Sequence, residues 1–272
     1  SLNFIEEKNP HLLSRSYVPN YTAGLTFFIA VAATNLFHQG NWQRVFAAKN
    51  NSMLKKSLIY SSMIIFVIVF WMGYTGLISI SLNSKITPDL AFFDLVLSDN
   101  HFITISILVL ALALTLSTID TLINAISSIF IVNGNQINKK ISGKFVKNKT
   151  NYIILLICIL VFILASKGFS ILYLFLLADL LCCSAVIIIF YGFFNKKVNY
   201  RLSYSSILIA LISGLLFFPS MDFATSILVG NLMPIEFFSS IIVANLLFIS
   251  FVVAIVVQLL TIIFYSLRSS FK

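Results

Sequence analysis

Ala111 to Val132 reads ALALTLSTIDTLINAISSIFIV, and this stretch decides what kind of protein the chain encodes. It is long enough to cross a bilayer as a helix. Its second half carries a polar seam: Ser117, Thr121, Asn124 and Ser128 recur at helical spacing on one face, with Thr118 beside them and Asp120 at or near membrane depth. Hydroxyl and carboxyl groups are costly in hydrocarbon and turn toward protein or water-filled space. Two readings fit the seam. One is helix–helix glue, in which hydroxyls bond across helices or back to their own backbone. The other is a cation site, in which hydroxyls and a backbone carbonyl replace the water around a hard cation such as Na⁺.

The composition around the seam is that of an integral membrane protein. Hydrophobic residues make up 59% and charged residues 10%, with mean hydropathy +1.00, against roughly 25% charged residues in soluble domains. The net charge of +9 does not point to nucleic acid, because the basic residues sit in short loops between apolar runs. Cys158, Cys182 and Cys183 lie inside apolar runs and read as small buried hydrophobes. The three histidines, His11, His38 and His101, are too scattered to hold a metal. There is no nucleophile–base pair, metal cluster or phosphate loop, so neither enzymatic chemistry nor a cofactor is expected.

Ser1 to Tyr21 reads as an extracellular loop, with Pro10 and Pro19 as breakers. An all-α chain of about seven transmembrane helices follows, at about 20 residues per span. The expected spans are 22–37, 57–80, 102–132, 152–165, 170–194, 203–218 and 237–267. The first runs into Asn35, His38, Gln39, Gly40 and Asn41, a cluster that a continuous lipid-facing helix would not tolerate. That cluster is either a helix end with Gly40 as C-cap, or an unwound segment whose freed backbone groups bind a solute near the midplane. Trp42 to Lys56 then reads as a basic interfacial segment.

Charge fixes the orientation. Arg44, Lys49, Lys55 and Lys56 follow the first span; Lys139, Lys140, Lys144, Lys147 and Lys149 the third; Lys196, Lys197 and Arg201 the fifth; Arg268 and Lys272 the last. None of these segments contains an acid. Glu6, Glu7, Asp89, Asp94, Asp99, Asp222 and Glu236 all fall on the opposite side. The positive-inside rule therefore places the chain in the cell (inner or plasma) membrane, N-terminus outside and C-terminus cytoplasmic. A chain that begins outside without a signal of its own is expected to follow an earlier segment, or to be a split or truncated product. Two acids remain inside spans, Asp120 in the seam and Asp179. Asp179, in LYLFLLADLLCCSAV, needs a partner or holds its proton, and an intramembrane acid defaults to a functional role.

Three stretches together resemble the sodium:solute symporter family. NLFHQGNWQRVFAAKN (Asn35 to Asn50) is similar to the broken sixth core helix of that family. LSTIDTLINAISSI (Leu116 to Ile129) is similar to its eighth, where adjacent hydroxyl residues help to bind sodium. LLADLL followed by YGFFNKK (Leu176 to Lys197) is similar to the tenth and its basic exit. The resemblance implies a leucine-transporter-type fold of two inverted five-helix repeats. Residues 22–194 would form the second repeat, opening with a broken helix, and residues 195–272 would hold two trailing helices and a cytoplasmic tail. It further implies that Ser117 and Thr118 give hydroxyl ligands to sodium with the Leu114 carbonyl one turn earlier. Asn35, His38 and Gln39, with Asp179, would contact the solute. The first repeat, which completes both sites in the family, would be a partner supplied from elsewhere. The implied activity is sodium-coupled symport of a small polar solute of the urea, amino acid or sugar class. FHQGNWQR and ADLL look closest to the urea and polyamine branch. A membrane sensor domain built on the same fold, and a non-transporting remnant, are the competing expectations.

Overall fold

The computed structural model describes residues 2–82, 86, 90–96, 101–137, 143–195, 198–221, 223, 225–226 and 245–270. Among these the regular structure is helical, and the single β-type pairing is an isolated bridge between Pro219 and Ser226. The helices are α1 (Leu2–Lys8), α2 (Pro10–Leu13), α3 (Val18–Phe37), α4 (Gln39–Phe46), α5 (Asn51–Leu82), α6 (Ala91–Val96), α7 (His101–Ile137), α8 (Gly143–Ala165), α9 (Ile171–Phe194), α10 (Tyr200–Phe217) and α11 (Leu246–Ser270). Five stretches are long and apolar enough to cross a membrane: Asn51–Leu82, His101–Val132, Ile171–Phe194, Tyr200–Phe217 and Leu246–Leu267. This is a multi-pass membrane protein.

Several boundaries differ from expectation, for local reasons. The N-terminal stretch is not a plain loop but the short helices α1 and α2, and α3 starts at Val18 rather than Thr22. Pro10 and Pro19 occupy the first turns of α2 and α3, where a missing N–H costs nothing, so both residues start helices rather than break them. Lys55 and Lys56 belong to α5, which extends back to Asn51. The Asn50 side chain accepts from the Met53 N–H at 2.8 Å and fixes that start. Residues 237–244 of the expected last span lie outside the described residues. So do Lys85, Asp89, Asp99, Lys139, Lys140, Lys196, Lys197, Asp222, Glu236 and Lys272.

Contacts group the helices into two compact units, a different cut from the division made on sequence. One unit comprises α1 and residues 39–169, that is α4 to α8. In it α5 packs on α6 and α1, and α7 packs on α8 and α4. The apolar windows of α5 and α7 bury almost nothing, as suits side chains facing hydrocarbon. Cys158, on α8, is exposed. The expectation that all three cysteines are buried fails there because α8 packs along one side only, against α7. Gly168 closes the turn after α8 with φ +69, a conformation that suits glycine.

The other unit, residues 9–38 and 170–272, contains α2, α3, α9, α10 and α11. Here α9 packs against α3, α10 and α11. Its core is Ala30, Ala33, Tyr173, Leu176, Leu180, Cys183, Phe218, Phe251 and Ala254. Small residues let the backbones approach, and buried polar groups tie them together. Ser250 Oγ donates to the Gly214 carbonyl at 2.8 Å, and Ser206 and Thr261 share a hydrogen bond of 3.0 Å. The Gln258 carboxamide clamps the backbone of α9, with Oε1 accepting from the Ile187 N–H at 2.9 Å and Nε2 donating to the Ser184 carbonyl.

Candidate functional site

The polar cluster at 35–42 interrupts a helix. α3 stops at Phe37, His38 adopts extended backbone (φ −72, ψ 103) and α4 begins at Gln39. Gly40 is not the C-cap, because it sits buried inside α4; His38 holds that position, its N–H donating to the Asn35 carbonyl at 3.3 Å. The Asn35 side chain donates back to the Val31 carbonyl of its own helix at 2.8 Å. His38 is half-buried, and its Nδ1 is buried with no hydrogen-bond partner among the described residues.

Asp179 lies on α9 and is 3% exposed. The Thr34 hydroxyl donates to its Oδ1. Thr34 belongs to the last turn of α3, so the intramembrane acid sits beside the turn that ends at His38. The apolar residues Ala33, Leu176, Leu180 and Cys183 belong to the cluster around it. Among the described residues Asp179 has no salt-bridge partner. Thr34 had not stood out in the sequence, since one threonine in an apolar helix carries no signal until its neighbour is known.

The seam on α7 is in the other unit. Thr118 Oγ1 donates to the Leu114 carbonyl at 2.9 Å, and Thr121 Oγ1 to the Ser117 carbonyl at 2.9 Å. These hydroxyls are therefore bonded to their own helix. Leu114, Ser117, Thr118 and Asp120 are all exposed. At the seam's far end Gln43 of α4 donates to Ser128 Oγ at 3.1 Å, so the glue reading holds at Ser128. Leu114 and Thr118 thus bring a carbonyl and a hydroxyl oxygen together on an open helix face. The sodium set, Leu114, Ser117 and Thr118, lies within one unit; of the solute set, Asn35, His38 and Asp179 lie in the other, while Gln39 belongs to the unit that holds the seam.

A cavity of about 190 Å³ lies at the opposite end of α3 from His38, lined by Thr22, Thr26, Pro219, Phe223 and Asn245. It contains none of the residues that the sequence suggests for ion or solute binding. Compared with protein-family models, with curated proteins and with solved structures, the chain gives no significant match.

Proposed function

We propose that this protein takes part in sodium-coupled import of a small polar solute, as the second half of a leucine-transporter-type symporter whose other half completes both sites. The observation that carries this reading is the open polar face of α7. Leu114, Ser117 and Thr118 are exposed on a 37-residue helix whose apolar window buries nothing. The Thr118 hydroxyl gives its proton to the Leu114 carbonyl, which leaves its oxygen lone pairs on the open face available to a cation. The interruption of α3 at His38 supports the reading, since broken helices at membrane depth line solute sites. In this account Ser117, Thr118 and the Leu114 carbonyl hold Na⁺, and Asn35, His38, Gln39 and Asp179 face the solute.

Seven spans with the N-terminus outside complete the proposal. To the five long apolar helices it adds α3, at 20 residues, and α8, at 23. At ~1.5 Å per residue α3 matches a hydrocarbon core of ~30 Å, while the apolar part of α8, Thr150–Ala165, reaches ~24 Å and would be a short span preceded in sequence by Lys144, Lys147 and Lys149. Thr118→Ala, coexpressed with the completing half, is expected to raise the sodium concentration for half-maximal uptake about tenfold, the loss of one ligand of moderate strength. The apparent solute affinity at saturating sodium should stay the same. An unchanged sodium requirement with weakened solute affinity would remove Thr118 from the ion site.

A further inference from the structure

We propose that the groove between α10 and α11 is a binding site for an anionic glycerophospholipid, with an acyl chain in the groove and the headgroup at its basic end. The hydrogen bonds set the helices antiparallel. Asn199 pairs with Tyr265 at 2.7 Å, Ser206 with Thr261 at 3.0 Å and Gly214 with Ser250 at 2.8 Å, so numbers rise along α10 as they fall along α11. The start of α10 and the end of α11 therefore share one end of the pair.

From that end a groove of about 330 Å³ runs along the outer surface, lined by Leu202, Ser205, Ile209, Leu260, Phe264 and Tyr265. The Ser206–Thr261 bond ties the two helices together along its length. Its rims are apolar and open: Ile209 is 46% exposed, Leu260 58% and Phe264 69%. Between Val257 and Tyr265 the groove extends ~12 Å along α11, which suits an extended hydrocarbon chain and not a compact polar solute. Both helices are apolar enough to span the membrane, so what reaches this surface is lipid.

The chemistry changes at the groove's end. The Asn199 amide and Tyr265 hydroxyl offer polar groups there. Arg201 is exposed, with its guanidinium over the Tyr200 ring at 5.7 Å and its Nε donating to the Tyr200 hydroxyl at 3.0 Å. Its terminal nitrogens are not engaged in that bond, and a guanidinium fork matches a phosphate diester. No acidic residue occurs from Asn195 to Met221 or from Asn245 to Lys272. A positive, tyrosine-flanked mouth on an apolar groove complements an anionic headgroup with a buried tail.

The test is native mass spectrometry of the purified chain, titrated with phosphatidylglycerol or with phosphatidylcholine of the same acyl chains. Tighter binding of phosphatidylglycerol is expected. Arg201→Gln should weaken it about fivefold with phosphatidylcholine unchanged, and Arg201→Lys, which keeps the charge and loses the fork, should keep only part of the preference. Ile209→Trp, which fills the groove, should lower phosphatidylglycerol occupancy with Arg201 intact. Equal binding of the two lipids, an unchanged preference in Arg201→Gln, or displacement by glycerol phosphate alone would each overturn the proposal.

Discussion

Gly214→Val is expected to destabilise the α3–α9–α10–α11 unit by about 3 kcal/mol, the upper end of the overpacking range. A Cβ at Gly214 would lie 2.9 Å from Leu180 Cδ1, 3.1 Å from the Ala254 Cβ and 3.2 Å from the Ser250 carbonyl oxygen. The leucine can swing away. The alanine Cβ and the backbone carbonyl move only if α11 retreats from α10. That retreat would also stretch the bond from Ser250 Oγ to the Gly214 carbonyl and open the core around Phe251 and Ala254. Valine adds a Cβ and two methyl groups to a position with no room for the Cβ alone. Gly73→Ala is the control, for Gly73 lies in α5 with nothing within 4 Å of the added Cβ. There alanine should be neutral or stabilise by up to ~1 kcal/mol, because it is the better helix former. Unfolding in mixed detergent micelles reads both variants, and equal midpoints would refute the close approach at Gly214.

Asp179→Leu is expected to fold as well as the natural chain, or better by ~1 kcal/mol, and to abolish uptake. The acid is 3% exposed among apolar neighbours and is tied to α3 through the Thr34 hydroxyl. A polar group held by one neutral hydroxyl recovers little of its lost hydration. Leucine would suit the cluster of Leu176, Leu180 and Cys183, and Thr34 could turn back to its own helix as Thr26 does to the Thr22 carbonyl at 2.7 Å. A group kept against the fold's interest points to function. Asp179→Asn separates charge from hydrogen bonding, since it can still accept from Thr34. Retained stability with uptake reduced more than tenfold assigns the role to the carboxyl. Full uptake in Asp179→Asn would reduce it to a tie between α9 and α3.

Much of this architecture could be read from apolar runs. The span expected at 170–194 is α9 at Ile171–Phe194, and the one at 203–218 is α10 at Tyr200–Phe217, because both runs end in polar residues that cap or leave the helix. The polar cluster after Phe37 marked an interruption, and the chain does leave the helix at His38. Proline was misread at Pro10 and Pro19, where the same residue type that stops a helix can open one. The pairing of Thr34 with Asp179 spans 145 positions, and no local pattern encodes it. Gln258 was legible, as a carboxamide within VVAIVVQLLTIIF, and its burial and its clamp on α9 are what a polar residue in such a run should have prompted.

Radiolabelled uptake tests the central claim most directly. The chain would be expressed in cells with and without a completing transporter half, and urea, proline and a hexose supplied with sodium or with choline outside. The account predicts uptake of one of these solutes that requires both the sodium gradient and the completing half. With both pieces shown to be in the membrane, uptake of none of them, or uptake indifferent to sodium, would contradict it.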